Sequence, residues 1–181
     1  EVEGARVRAP FIVCCLLRRA VWTRVGGFPP FRAGEDLIFM EAVARSGVTV
    51  AYAPDAVVHW RLAPGWRATF RRFATYSRHN LRAGRARQWH VGTARLWLAG
   101  MVAVILAVLQ HPAWLIVPVA GLAARTARTA WTKRSAFAFR GVFRADRLLG
   151  LAALLVLLDC ATWWGMALWL GHDRPWRRVA A

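Results

Sequence analysis

Acidic residues and cysteines are both scarce in this sequence. The 181 residues include 9 Asp and Glu against 26 Lys and Arg, which gives a formal net charge of +17 at pH 7. Three cysteines are too few, and odd in number, for a secreted module built on disulfides. Hydrophobic residues make up 57% of the chain, which excludes a disordered basic tail. So strong a positive charge on so apolar a chain favours a protein at an anionic membrane.

The positive charge lies in segments that flank apolar stretches. Residues 1–60 carry a net charge of +1, whereas residues 61–95 carry +9 and contain no acidic residue. Residues 125–147 carry +6, and residues 96–124, just before them, are uncharged. A nucleic-acid binder needs basic residues interleaved with exposed aromatics on a soluble surface. Because the 61–95 block runs directly into an apolar segment, we expect membrane lipids and no nucleic acid as its partner.

Two apolar segments form a predicted membrane region over residues 96–173. Residues 148–170 have the length of one span, and Asp159 near their middle needs an oppositely charged partner or a wet site. Residues 96–124 are too long for one upright helix and contain Pro112 and Pro118. They form either one tilted, kinked span or the two short arms of a hairpin. A basic loop over 125–147 and a basic tail over 174–181 complete this part of the sequence.

The distribution of basic residues predicts the orientation in the membrane. The positive-inside rule places both 61–95 and 125–147 in the cytoplasm. Both segments can lie inside only if residues 96–124 form a hairpin that returns to its own side, which is the arrangement we prefer. A plain two-span arrangement would leave the second basic segment outside. The expected location is the plasma or inner membrane, with the N-terminal part facing the cytoplasm.

Residues 1–64 have the pattern of an α/β unit. Short apolar runs typical of buried strands occur at 11–17, 48–52 and 56–60. Two helices are predicted between them, at 18–25 and 35–46. Gly26 and Gly27 end the first helix, and Glu35 and Asp36 open the second, where the helix dipole favours carboxylates.

The region 65–95 begins with a predicted amphipathic helix at 65–83. Its aromatic residues recur at helical spacing and are flanked by arginines: Trp66, Phe70, Phe73 and Tyr76. Such a helix suits the interface of an anionic membrane. The same stripe also suits an ordinary surface helix that packs its aromatic face on the predicted sheet, and both interpretations stay open.

Most chemical motifs are missing from the chain. There is no Gly-rich phosphate loop, no Gly-x-Ser-x-Gly nucleophile elbow and no Cys-x-x-Cys pair. What remains is a series of short motifs in a fixed order. These are Val25-Gly26-Gly27-Phe28, Gly34-Glu35-Asp36-Leu37, Tyr52-Ala53-Pro54-Asp55-Ala56 and Val58-His59.

This series, over residues 11–61, resembles the second half of the catalytic domain of family-2 glycosyltransferases. These are inverting enzymes with the GT-A fold, and some members are membrane-attached. The resemblance implies the C-terminal half of a GT-A-like α/β domain over 1–64, followed by α-helical membrane segments. It also implies transfer of a sugar from a nucleotide-sugar donor to a hydroxyl group of a lipid or glycan acceptor.

The resemblance assigns roles to individual residues. Asp36 matches the catalytic base, and Glu35 would orient the acceptor or hold the loop. His59 lies where some members place a metal ligand. The positions that would contact substrate or the donor diphosphate are Gly26, Gly27, Phe28 and Arg61. Each has a structural explanation as well, namely helix capping for the carboxylates, a plain turn for the glycines and packing for the histidine.

One departure from the family pattern limits these implications. The family's donor-binding half carries an Asp-x-Asp motif for a divalent metal, Mg²⁺ or Mn²⁺, and no Asp-x-Asp occurs in these 181 residues. The resemblance therefore implies a fragment of a longer enzyme that is inactive when isolated. The alternative is a non-enzymatic membrane protein whose α/β part docks a partner.

Overall fold

The fold of the chain is helical throughout the part that the structure describes. A computed structural model describes residues 15–30, 33–49, 51, 65–134, 141 and 143–173. Of these residues 79% are helical and none forms a strand. The prediction of an α/β unit, the C-terminal half of a GT-A-like domain, is therefore wrong for the described chain.

The error came from short apolar runs, which periodicity alone cannot assign to a strand. Cys15–Leu17, Val48, Thr49 and Ala51 have no regular structure, and no second strand pairs with them among the described residues. The remainder of the three predicted strands, 11–14, 50, 52 and 56–60, lies outside the described residues.

Seven α-helices and one 3-10 turn make up the described fold. The first three are α1 at Arg19–Val25, α2 at Glu35–Arg45 and α3 at Trp66–Arg82. The next are the short α4 at Ala86–Trp89 and the apolar α5 at Val91–Leu109. A 3-10 turn at Pro112–Leu115 leads into α6 at Ile116–Lys133, and α7 covers Ala145–His172. The helices predicted at 18–25, 35–46 and 65–83 are confirmed.

α1 and α2 pack together around a small apolar core. Phe39, Met40 and Val43 on one face of α2 are buried, and Val21 and Val25 of α1 pack against them. α1 ends where Gly26 and Gly27 take positive φ values of 87° and 75°, which side chains rarely adopt.

α5 and α6 form a helical hairpin. A Cβ placed on Gly100 would lie 3.9 Å from Cβ of Pro118, and one placed on Gly121 would lie 4.0 Å from Cδ1 of Leu96. Because these contacts occur in opposite order along the two helices, α5 and α6 are antiparallel. α6 continues to Lys133, so residues 125–133 are helical, and only the residues after them can belong to the predicted basic loop.

α7 is the longest helix, and α3 packs along its C-terminal half. A Cβ on Gly165 would lie 2.3 Å from the backbone oxygen of Ala74 and 2.6 Å from Cβ of Ser77. The two backbones can approach this closely only because Gly165 has no side chain. The buried residues of α3 are small or polar, whereas three residues of its aromatic stripe, Phe70, Phe73 and Tyr76, are half-buried and Trp66 is exposed.

Two described helices are long and apolar enough to cross a membrane. They are α5, with 19 residues, and α7, with 28. Little of their most apolar 18-residue windows is buried within the chain, 6% for α5 and 28% for α7. Large exposed apolar surfaces of this kind mark membrane or protein contacts. The membrane region predicted from the sequence thus has two helices of suitable length and composition.

Candidate functional site

The start of α2 presents two adjacent carboxylates, which are the predicted catalytic residues. Gly34 precedes them with a φ of +81°, and this left-handed turn sends the chain into the helix. Oδ1 of Asp36 accepts a hydrogen bond from the backbone N–H of Leu37 at 2.8 Å. The side chain of Asp36 is half-buried and has no ion pair within the described part of the chain. Its second oxygen has no hydrogen-bond partner among the described residues.

Glu35 lies beside Asp36 in a more enclosed position. Its Oε2 atom is buried and has no hydrogen-bond partner among the described residues. A buried carboxylate oxygen without a partner costs free energy, of the order of 1–3 kcal/mol for an unsatisfied polar group. Such an atom is suited to accept a hydrogen bond from a ligand.

The turn at Gly26 and Gly27 is explained by backbone conformation and packing. Gly26 has open space around it and a φ of +87°, which favours glycine. A Cβ on Gly27 would lie 2.8 Å from the Trp22 ring, so the turn has no room for a side chain there. The ring of Phe28 packs against Trp22 and Phe39, with centroid distances of 5.0 Å and 4.8 Å, which fixes α1 against α2. None of these roles requires a substrate.

The acidic start of α2 packs against the C-terminal end of α3. Oδ1 of the buried Asn80 would lie 3.3 Å from a Cβ on Gly34, and the backbone N–H of Arg85 donates to Asn80 O at 2.8 Å. Arg85 also forms an ion pair with Glu41 of α2 at 2.8 Å. These contacts couple the candidate site to the helix that packs on α7.

A buried polar cluster joins α3, α5 and α7. The hydroxyl of Ser77 donates to Thr162 O at 2.7 Å and lies 2.8 Å from Nε2 of His90. Because that hydroxyl proton points at Thr162, its oxygen accepts from the imidazole, which assigns the His90 proton to Nε2. Burial lowers the pKa of His90, so the imidazole is neutral at pH 7. The Ser77 hydroxyl is used in joining helices, whereas Nδ1 of His90 is buried and has no hydrogen-bond partner among the described residues.

Two arginines of α3 bind the C-terminal end of α7. Asp173 accepts from Arg78 at 2.6 Å and 2.9 Å, and from Arg82 at 2.5 Å. The hydrogen bond from Arg78, followed by that from Arg82, holds the pKa of Asp173 well below its usual range. The same pair raises the pKa of Arg78. The carboxylate therefore remains charged and keeps α3 attached to α7 at neutral pH.

A second charged cluster lies among the apolar helices. Asp159 of α7 accepts from both terminal nitrogens of Arg125 in α6, at 2.5 Å and 2.9 Å, and from Nε1 of Trp97 in α5 at 3.2 Å. The Asp159 side chain is only 7% exposed. The expectation that Asp159 needs an oppositely charged partner is confirmed, and the partner is Arg125.

Two of the predicted site residues, His59 and Arg61, lie outside the described residues. Within the described ranges no three His, Cys, Asp or Glu side chains are grouped so that they could hold a metal ion. The described carboxylates Glu35 and Asp36 thus do not form a metal site by themselves, and we assign no metal ligands here.

Sequence reasoning missed the residues that connect the helices. Asn80, Arg85 and His90 carry no motif, and their contacts depend on how the helices pack. Arg125 did have a signal, because it is the first charged residue after the uncharged segment 96–124. The sequence predicted that Arg125 lies in a loop, whereas it lies in α6 and pairs from there with Asp159.

Comparisons with known proteins provide no relative for this chain. No family model matches it, and neither does any curated protein or solved structure.

Proposed function

We propose that this chain is part of a membrane-attached inverting glycosyltransferase. It would move a sugar from a nucleotide-sugar donor to a hydroxyl group of a lipid or glycan acceptor. The observation that carries the proposal is the half-buried carboxylate of Asp36, which has no ion pair within the described ranges and opens a helix after a Gly-Gly-Phe turn. The order of these motifs along the chain is the one that resembles family-2 glycosyltransferases.

The chemistry assigned to Asp36 is that of a general base. Its free oxygen takes the proton from the acceptor hydroxyl as the hydroxyl oxygen bonds to the anomeric carbon of the sugar. The bond from that carbon to the diphosphate oxygen breaks, and its electron pair leaves with the nucleoside diphosphate.

Glu35 would position the acceptor for this reaction. Its unpartnered oxygen can accept a hydrogen bond from a second hydroxyl of the acceptor, which orients the attacking one. Arg61 is proposed to neutralise the donor diphosphate, and His59 to contribute to binding of a divalent metal. Because a positive φ explains Gly26, and packing explains Gly27 and Phe28, the proposal does not rest on them.

The remaining described helices support the membrane part of the proposal. α5 and α7 are candidate spans, and α3 joins them to the acidic start of α2. The outer face of α3 exposes arginines and Trp66, whose side chain is 54% exposed. Such a surface is suited to anionic headgroups. The proposed location is the plasma or inner membrane, with Asp36 on the cytoplasmic side.

The test measures sugar transfer in membranes that contain the full-length protein. Radiolabelled UDP- and GDP-sugars are supplied one at a time, and label is counted in lipid-extractable and polymeric products. Asp36→Asn should lower kcat by roughly 10²–10⁴-fold, the usual contribution of a general base, and leave donor binding intact. Asp146→Asn is the control, because it makes the same substitution at an exposed aspartate on another helix and should retain transfer.

Two results would contradict this proposal. Full turnover by Asp36→Asn removes Asp36 from the role of base. Membranes that carry the wild-type protein but transfer no sugar from any donor favour the alternative, in which the N-terminal part docks a partner protein.

A further inference from the structure

An apolar groove runs along the candidate membrane helices. It has a volume of about 620 Å³ and lies between α5, α6 and α7. Most of its lining is aliphatic, and representative residues are Met101, Val104, Ile105, Val117, Pro118 and Val156. Several of these side chains are about half exposed, including Met101 at 54% and Ile105 at 55%. The groove is therefore open along its side and lacks an occupant from the described chain.

The polar groups of the groove are confined to one end. They are the ion pair of Arg125 with Asp159 and the indole N–H of Trp97. The pair neutralises itself, and its carboxylate is nearly enclosed, with 7% of the Asp159 side chain exposed. From Trp97 at this end to Ile105, the groove extends eight residues along α5, or about 12 Å.

Further positive charge lies at the same end. Arg128 of α6 is three residues after Arg125 and seven after Gly121, which lines the groove, so it lies on the same face of the helix. It is exposed and has no acidic partner among the described residues. Arg95 of α5 lines a separate groove with Leu98 and Val102. The groove thus has an apolar length and a basic rim at one end.

We propose that this groove holds one hydrocarbon chain of an anionic phospholipid, with the lipid phosphate at Arg128. The charge of the phosphate complements the basic rim, and the chain covers the aliphatic lining. Half of a hydrocarbon core of ~30 Å is about 15 Å, which is close to the length of the groove. The proposal depends on membrane attachment but not on glycosyl transfer.

The test uses the full-length protein in bilayer nanodiscs that contain equal amounts of phosphatidylglycerol and phosphatidylcholine. Lipid that stays bound after transfer into detergent is counted by native mass spectrometry. The wild-type protein should retain one phosphatidylglycerol. Val104→Trp fills the groove and should reduce this retention about tenfold, because the indole displaces several methylene groups. Val108→Trp is the matched control, since Val108 lies one turn further along α5, is 81% exposed and does not line the groove.

A second variant tests the basic rim. Arg128→Gln should remove the preference for phosphatidylglycerol while leaving the groove unchanged. Arg95→Gln is the control, because Arg95 lines the separate groove, and it should keep the preference. Met101→Trp fills the same groove and replaces Val104→Trp if that variant does not fold, as judged by its circular dichroism. Equal retention of phosphatidylcholine by the wild-type protein would overturn the proposal. Unchanged retention in a folded groove-filling variant would overturn it too.

Discussion

Asp159 and Arg125 form an ion pair among apolar helices. Removing one partner of a buried pair leaves an uncompensated charge and typically costs about 3–5 kcal/mol. Arg125→Gln should therefore destabilise the protein strongly, and the double variant Arg125→Gln with Asp159→Asn should recover most of the loss. The measurement is the free energy of unfolding in dodecyl maltoside micelles.

An exposed ion pair provides the control for this residue-level prediction. Asp146 pairs with Arg144 at 3.1 Å, and both side chains are more than 60% exposed. Because water and salt screen such pairs, Asp146→Asn should change the stability by less than about 1 kcal/mol. An Arg125→Gln protein as stable as the wild type would show that Asp159 is satisfied by other groups.

The individual residues also show what the sequence can reveal about a site. The position of Glu35 and Asp36 at the start of a helix was predictable, since a glycine and an acidic first turn are local signals. The need of Asp159 for a partner was predictable from its apolar surroundings. The contact of Asn80 with Gly34 was not, because it depends on how α3 approaches α2 across residues with no shared pattern.

The contact between α3 and α7 depends on the absence of a side chain at Gly165. A methyl group there would lie 2.3 Å from the backbone oxygen of Ala74, which cannot turn away as a side chain can. Gly165→Ala should therefore force the helices apart and destabilise the protein by about 1–3 kcal/mol. Thermal unfolding followed by circular dichroism provides the measurement.

Another glycine of the same helix separates this packing effect from helix propensity. Gly150 has nothing within 4 Å of a Cβ at its position. Gly150→Ala should therefore stabilise α7 by up to about 1 kcal/mol, as alanine does in helix interiors. If both substitutions stabilise the protein equally, α3 does not pack closely against Gly165.

The helices were predictable from the sequence, whereas the strands were not. α2 and α3 have clear helical spacing, and glycines flank both of them, so their bounds agree with the prediction within a residue or two. The strands rested on apolar runs of five to seven residues that lack a periodic pattern. A strand also needs a partner from elsewhere in the chain, and the local sequence carries no record of that partner.

At the scale of the whole molecule, the basic residues lie at one end of the hairpin. α5 begins within the basic segment 61–95, and the second half of α6 contains Arg125, Arg128 and Lys133. The uncharged parts of the two arms, 96–109 and 116–124, are 14 and 9 residues long, or about 21 Å and 14 Å. They are shorter than a hydrocarbon core of ~30 Å, as expected for the short arms of a hairpin that enters and returns on one side.

The hairpin therefore predicts a specific pattern of access from the two sides of the membrane. Cys14, Cys15 and Cys160 are first replaced by serine, and single cysteines are then placed at Arg87, Ala113 and Thr132, which lie before α5, at the hairpin tip and near the end of α6. An impermeant maleimide should leave Ala113→Cys unlabelled in intact cells if the short arms hold the tip within the membrane. Arg87→Cys and Thr132→Cys should react only after lysis if both basic ends lie in the cytoplasm, as the positive-inside rule predicts. Labelling of Thr132→Cys in intact cells would support a plain two-span arrangement, and labelling of Ala113→Cys in intact cells would mean that the tip reaches the outer surface.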